Sequence, residues 1–209
     1  HFHAMKLQMV LTRQGIPYVI TSGVRFFEQA HIKDICAFLR ILENPGDEMA
    51  FVRLLGLLPG AGDKTAAKIW SKLDGKFATQ ISSQRDILAN TLPRVARVLW
   101  KNIEPALIAY RKENLNFNGG EAIDRFLHTF YEQYAVNTYE NHERRIEDIK
   151  EMALYTSKFE NVENFLNDIA LLTNLDAEAE NINSANQDAV RLSTVHQAKG
   201  LEWRVVIIL

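Results

Sequence analysis

Strand-forming patterns in this chain occur only near its two ends, and everything between them is patterned as helix. Tyr18-Val19-Ile20-Thr21 follows Pro17 as an extended run, and Ala189-Val190-Arg191-Leu192-Ser193 alternates like a half-buried strand. Val205-Val206-Ile207-Ile208-Leu209 is a continuous apolar run, as expected of a strand covered on both faces. Ala4, Leu7, Val10 and Leu11 are spaced for a helix that Gly15 ends. Ile32, Ile35, Cys36, Leu39 and Leu42 mark an amphipathic helix over 28–43, stopped by Asn44-Pro45-Gly46. Further helices are expected over 47–56, 63–73, 84–90, 93–113, 120–134, 141–155 and 160–173. Breaks fall at Pro59-Gly60, Asp74-Gly75, Pro93 and Asn118-Gly119-Gly120. The polar segment 174–188 reads as a flexible return linker. The chain is therefore expected to be mainly α with a small α/β part, a helical subdomain being inserted into a loop of that part. The expected division assigns 1–44 and 185–209 to the α/β part and 45–184 to the insertion.

Composition narrows the class. Apolar residues make up 47% and charged residues 24%, ordinary for a globular protein, and no apolar run reaches the ~18 residues of a membrane span. The single cysteine, Cys36, has no internal disulfide partner and lies in a helical pattern as a small core residue. With no signal-peptide pattern, a cytoplasmic setting is expected. Both ends look cut, which suggests a piece of a larger protein. The net charge of −2 hides an uneven distribution. Residues 60–112 hold 10 Lys/Arg against 4 Asp/Glu, whereas 113–188 hold 5 against 16. The basic segment would attract a polyanion; solvated helix faces are the plainer alternative.

Within that basic segment, residues 54–69 contain Leu58-Pro59-Gly60-Ala61-Gly62-Asp63-Lys64-Thr65-Ala66-Ala67-Lys68-Ile69. This resembles a helix–hairpin–helix turn, L-P-G-x-G-x-x-x-A-x-x-I, which binds DNA without reading its sequence. The chemistry fits. Two glycines let a backbone approach a phosphate, and the following helix offers its free N–H groups and positive dipole end to the same anion. Lys64 and Lys68, one helical turn apart, would flank it. The candidate contacts are Gly60, Ala61, Gly62, Lys64, Thr65 and Lys68. A phosphate-binding P-loop is rejected, because Asp63 stands between Gly62 and Lys64 and the stretch follows a helix. An ordinary tight turn between helices is the alternative.

The second reactive stretch runs from Leu192 to Trp203 between the two C-terminal strand patterns. A loop leaving such a strand in an α/β sheet points into a ligand crevice, although residue types alone also suit a solvated connection. The order of residues adds more. Thr194, His196, Lys199, Gly200, Leu201, Glu202 and Trp203 spell T-x-H-x-x-K-G-L-E-W. This pattern resembles a nucleotide- and DNA-coupling motif of the UvrD/Rep-type superfamily 1 DNA helicases. Ile16-Pro17-Tyr18 with Gly23, Arg25, Phe26, Phe27 and Glu28 resembles the family's I-P-Y-x-x-x-G-G-x-x-F-F-E segment. Ile32-Lys33-Asp34 and Phe38-Leu39-Arg40 resemble its next helix, and Asn44-Pro45 continues the match.

The resemblance implies part of a second RecA-like lobe, with a partial parallel sheet and its all-α insertion. It implies an ATP-dependent DNA helicase, translocating 3′ to 5′ in repair or recombination, that uses ATP and Mg²⁺ in the full-length protein. Gly200 and Glu202 would meet the nucleotide. Gly23, Arg25, Thr194, His196 and Lys199 would face single-stranded DNA, and the glycine turn would grip duplex. DNA, an N-terminal helicase lobe and repair proteins are the implied partners, in a cytoplasmic, nucleoid-associated setting. No catalytic or metal-binding residue is assigned to this chain, because the P-loop and the acidic pair that holds Mg²⁺ lie outside it. The 209 residues alone are accordingly expected neither to hydrolyse ATP nor to unwind DNA. The alternatives are a non-catalytic duplex-DNA-binding or protein-docking module, or part of a helicase–nuclease. Departures include His31 where the family has Glu, Ser22 where a second Gly is common, and Met5 near a usual γ-phosphate-contacting Arg.

Overall fold

A computed structural model describes residues 7–8, 10–11, 13–20, 26–110, 118–183, 189–193 and 198–208. The chain divides into two compact units, residues 1–29 with 167–209, and residues 30–166.

In the first unit, Leu7, Gln8, Val10, Leu11 and Arg13 are helical. Gly15 takes φ +63°, and the amides of Gln14 and Ile16 return to the carbonyls of Val10 and Leu11 at 3.0 and 2.9 Å. Such a left-handed glycine cap is how a helix ends when the chain must turn away at once. Strand β1 (Tyr18–Ile20) follows and pairs in parallel with β2 (Val190–Leu192), Tyr18 opposite Val190 and Ile20 opposite Leu192. Parallel strands cannot be joined by a hairpin, and here the whole helical middle of the chain supplies the crossover. β2 has the expected position, but Val190 and Arg191 are both exposed, so it lacks the alternation expected of a half-buried strand.

Two other expectations are corrected. Residues 205–208 form no strand, and Val205, Val206, Ile207 and Ile208 are 64–85% exposed. An apolar strand is stable only when neighbouring strands satisfy its backbone and elements on both faces cover it, and among the described residues nothing does either. The linker expected from residue 174 is helical through Asn183. Its polar composition suggests disorder, yet Leu, Ala and Glu are strong helix formers and carry the preceding helix on.

The regular elements among the described residues of the second unit are all helices. Its elements are α1 (Ala30–Glu43), α2 (Glu48–Gly56), α3 (Asp63–Lys72), α4 (Ser82–Thr91), α5 (Arg94–Ala109), α6 (Gly119–Phe126), α7 (Glu132–Thr138) and α8 (His142–Thr156). Helix α9 (Val162–Asn183) begins here. The observed helix starts and stops follow the sequence punctuation. Asp47 caps α2 by accepting from the Ala50 amide at 2.9 Å, and Asn118 with Glu121 forms a capping box on α6. The single helix expected over 120–134 is interrupted by a π turn, Leu127–Tyr131. That wider turn accommodates burial of Phe126, Leu127, Phe130 and Tyr131 alike.

Two aromatic clusters hold the bundle. Phe51, Trp70, Phe77 and Trp100 meet at ring-centroid distances of 4.8, 5.5 and 6.0 Å, which locks α2, α3 and α5 to the connection that carries Phe77. Phe38 stacks on Phe126 at 4.2 Å and joins α1 to α6. Truncating any one of these rings to alanine would cost about 3–5 kcal/mol. Cys36 is half-buried, and burial pushes its thiol up to about 12, so it remains a protonated packing residue.

Candidate nucleic-acid interface

The glycine turn joins α2 to α3. α2 ends at Gly56, and the amides of Leu57, Leu58 and Ala61 turn back onto the carbonyls of Leu54, Leu55 and Leu58. Gly60 takes φ +75°, a conformation that an L side chain resists. Ala61 is buried at the hinge. Gly62 is the N-cap of α3 and gives its carbonyl to the amides of Thr65 and Ala66 at 2.9 and 3.0 Å. No side chain caps this end. The amides of Asp63 and Lys64, which have no carbonyl one turn back to bond, therefore lie on an exposed rim of Gly60, Gly62, Asp63 and Lys64.

The fold makes different demands on the two glycines. Gly60 is demanded by its own backbone. Gly62 is not: its φ of −66° suits any residue, and a Cβ built on it meets nothing within 4 Å. Nothing inside the fold requires a bare backbone at Gly62. Lys64 and Lys68 are exposed, with no ion pair among the described residues. Thr65, half-buried, turns its hydroxyl inward to the Gly60 carbonyl at 3.3 Å, so it braces the turn. Ala66 and Ile69 are buried and seat α3 on the core. Asp63 introduces one negative charge at the helix start. It favours the dipole and trims the positive potential around the turn.

The other candidate stretch belongs to the first unit. Gly200 takes φ +86° in a turn closed by the Leu201 amide on the Ala198 carbonyl at 3.0 Å, and Lys199 and Glu202 are exposed beside it. Thr194, His196, Gly23, Arg25 and Met5 lie outside the described residues.

A buried polar network in the second unit escaped sequence reading. His31 is fully buried; Arg145 donates to its Nδ1 at 2.8 Å, and its Nε2 lies 3.2 Å from Asp148 Oδ2. Arginine has no acceptor, so Nδ1 must offer its lone pair, and Nε2 carries the proton toward Asp148. One turn on, Asp34 accepts from Tyr131 at 2.5 Å and from Arg53 Nε at 2.8 Å, and Arg53 also reaches the Ala30 carbonyl at 3.0 Å. Burial raises the Asp34 carboxyl above its ordinary value, against the lowering effect of Tyr131 and Arg53. Arg53 thereby pins α2, the helix that leads into the glycine turn. The partners lie 19 to 117 residues apart, a separation that no local pattern displays.

Residues 1–209 match the model of the UvrD-like helicase C-terminal domain. The chain belongs to that family. Curated relatives include DNA helicase II of Escherichia coli, 32% identical over 97% of this chain and 29% of the relative. DNA helicase II of Haemophilus influenzae is 31% identical over 94% of this chain and 28% of itself. ATP-dependent DNA helicase PcrA of Bacillus subtilis is 27% identical over 97% and 29%. The chain thus spans under a third of the relatives it matches. As a UvrD-like C-terminal domain it shows no helix, among the described residues, long and apolar enough to cross a membrane.

Proposed function

We propose that this chain is the DNA-gripping and nucleotide-responsive part of an ATP-dependent helicase that moves 3′ to 5′ in repair or recombination. Residues 1–44 and 185–209 would belong to a second RecA-like lobe, and 45–184 to its inserted helical subdomain. The turn at Gly60-Ala61-Gly62, in helix–hairpin–helix fashion, would hold duplex phosphates on the free N–H groups of α3, with Lys64 and Lys68 flanking. The observation that carries this reading is Gly62, a glycine without an internal reason, at an uncapped and exposed helix start. Phosphate contacts of this kind position a protein on DNA without reading bases.

On the first unit, Gly200 would allow close approach of a nucleotide, and Glu202 would accept from ribose hydroxyls. Thr194, His196, Lys199, Gly23 and Arg25 would meet single-stranded DNA. ATP, where bound in the full-length protein, supplies the phosphoryl group whose hydrolysis powers movement. Among the described residues no group of three or more His, Cys, Asp or Glu could hold a metal ion.

Fluorescence anisotropy with duplex, single-stranded and junction DNA tests the turn. Wild type should bind duplex, with affinity falling steeply in salt as counterions are released. Gly62→Val and Lys64→Glu should each abolish most of that binding while thermal unfolding stays near wild type. Duplex affinity unchanged in both variants would reject the clamp and favour a protein-docking module.

A further inference from the structure

We infer that the outer face of α5 is a second wall of the duplex-binding surface, with Arg94 and Lys101 contacting phosphates beyond those held by the glycine turn. The inference rests on the duplex-gripping role proposed above for that turn. α5 buries Ala96, Trp100, Ile103, Ala106 and Leu107. Its opposite face presents Arg94, Val98, Lys101 and Pro105 at spacings of four, three and four, all exposed, with Arg97 beside them. Those intervals place side chains on one stripe of a helix.

Among the described residues no carboxylate forms an ion pair with the stripe. Glu104, the only acidic residue of α5, is turned away into an ion pair with Arg85 at 2.9 Å. Arg97 is fixed by bonds to the carbonyls of Asn90 and Leu92 at 3.1 and 3.3 Å, neither of which neutralises it. Arg94 and Lys101 form no ion pair among the described residues. A helix face that carries three cations and no anion is matched by a uniform polyanion rather than by a mixed protein surface.

The stripe is continuous with the turn. Pro93, the N-cap of α5, has its Cγ 3.6 Å from where a Cβ on Gly60 would stand. On the other side of the α4–α5 junction, Lys72 Nζ donates to Thr91 Oγ1 at 3.3 Å. Arg94 therefore follows directly from the residue packed on the glycine turn. From Arg94 to Lys101 the helix rises about 10 Å, a length over which duplex DNA presents about six phosphate charges. Val98, 62% exposed between the two cations, offers apolar contact to the sugar edge rather than a competing charge.

The test uses the 209-residue chain and a fluorescein-labelled DNA duplex titrated over a range of salt. Every phosphate that the protein ceases to neutralise takes about 0.9 from the slope of log K against log salt. The double variant Arg94→Ala/Lys101→Ala should lower the slope by about two, and Val98→Glu should weaken binding without changing the melting temperature. Both cations are exposed and outside any ion pair among the described residues, so wild-type thermal unfolding of the double variant is expected as well. If wild type does not bind duplex, the glycine-turn role itself fails. If wild type binds and Lys64→Glu weakens it, while the double variant keeps the wild-type slope, the turn stands and the second wall is overturned. The stripe would then be free for an acidic protein partner.

Discussion

Gly60 and Gly62 are two residues apart in one turn, yet alanine at each should have opposite consequences. At Gly60 the backbone sits at φ +75°, where a Cβ costs about 1–2 kcal/mol. At Gly62 the backbone is ordinary and the space is empty. Alanine there gains about 0.4–1 kcal/mol by restricting the unfolded chain. It loses up to about 1 kcal/mol because alanine caps a helix less well than glycine. The two terms offset to within about 1 kcal/mol. For a chain of this size 1 kcal/mol moves the melting temperature by about 2–4 °C. Calorimetry should therefore show Gly60→Ala melting about 2–8 °C lower and Gly62→Ala within about 4 °C of wild type. Duplex binding should show the reverse emphasis. A methyl group on Gly62 would hold a phosphate off the α3 amides and remove at least one charge-assisted hydrogen bond, worth about 1.5–3 kcal/mol. That is about a tenfold to hundredfold loss of affinity. If Gly62→Ala binds duplex as wild type does, the bare backbone has no external use and the argument for a phosphate site collapses. If Gly62→Ala unfolds, the premise that the fold does not need this glycine is wrong.

Other consequences concern stability. A Cβ on Gly120 would collide with Ser157 Oγ and stand 2.6 Å from the Ala153 carbonyl, where backbone must move, so Gly120→Ala should cost about 1–3 kcal/mol and lower the melting temperature; an unchanged melting temperature would show that α6 and α8 are not so tightly apposed. Asp34 has a folded value raised above 3.8, so between those two values the folded state binds the extra proton, and its contribution to stability is lost as pH rises through the raised value. Chemical denaturation of wild type and Asp34→Asn over an acidic series should show wild type gaining on the variant as pH falls toward 3.8; a constant difference would place the folded carboxyl at its ordinary value.

Much of this protein is legible from local sequence, because it is written in residues that act on their immediate neighbours. Gly15, Asn44-Pro45-Gly46, Asp47, the Pro59-to-Gly62 turn and Asn118 set helix boundaries through their own backbone preferences and caps. The motifs at 58–69 and 194–203 carry family membership for the same reason, since they are contiguous. Tertiary structure decided what depends on distant partners. Only packing brought His31 to Arg145 and Asp148, and Asp34 to Arg53 and Tyr131. The run 205–208 shows the converse: its composition says strand, but a strand exists only where other backbones complete it. The sequence by itself determined where the chain bends and that Gly62 stands at a helix start. Only the folded molecule showed that the space around Gly62 is empty. That space depends on where α2 and α3 lie in three dimensions, which no local pattern encodes.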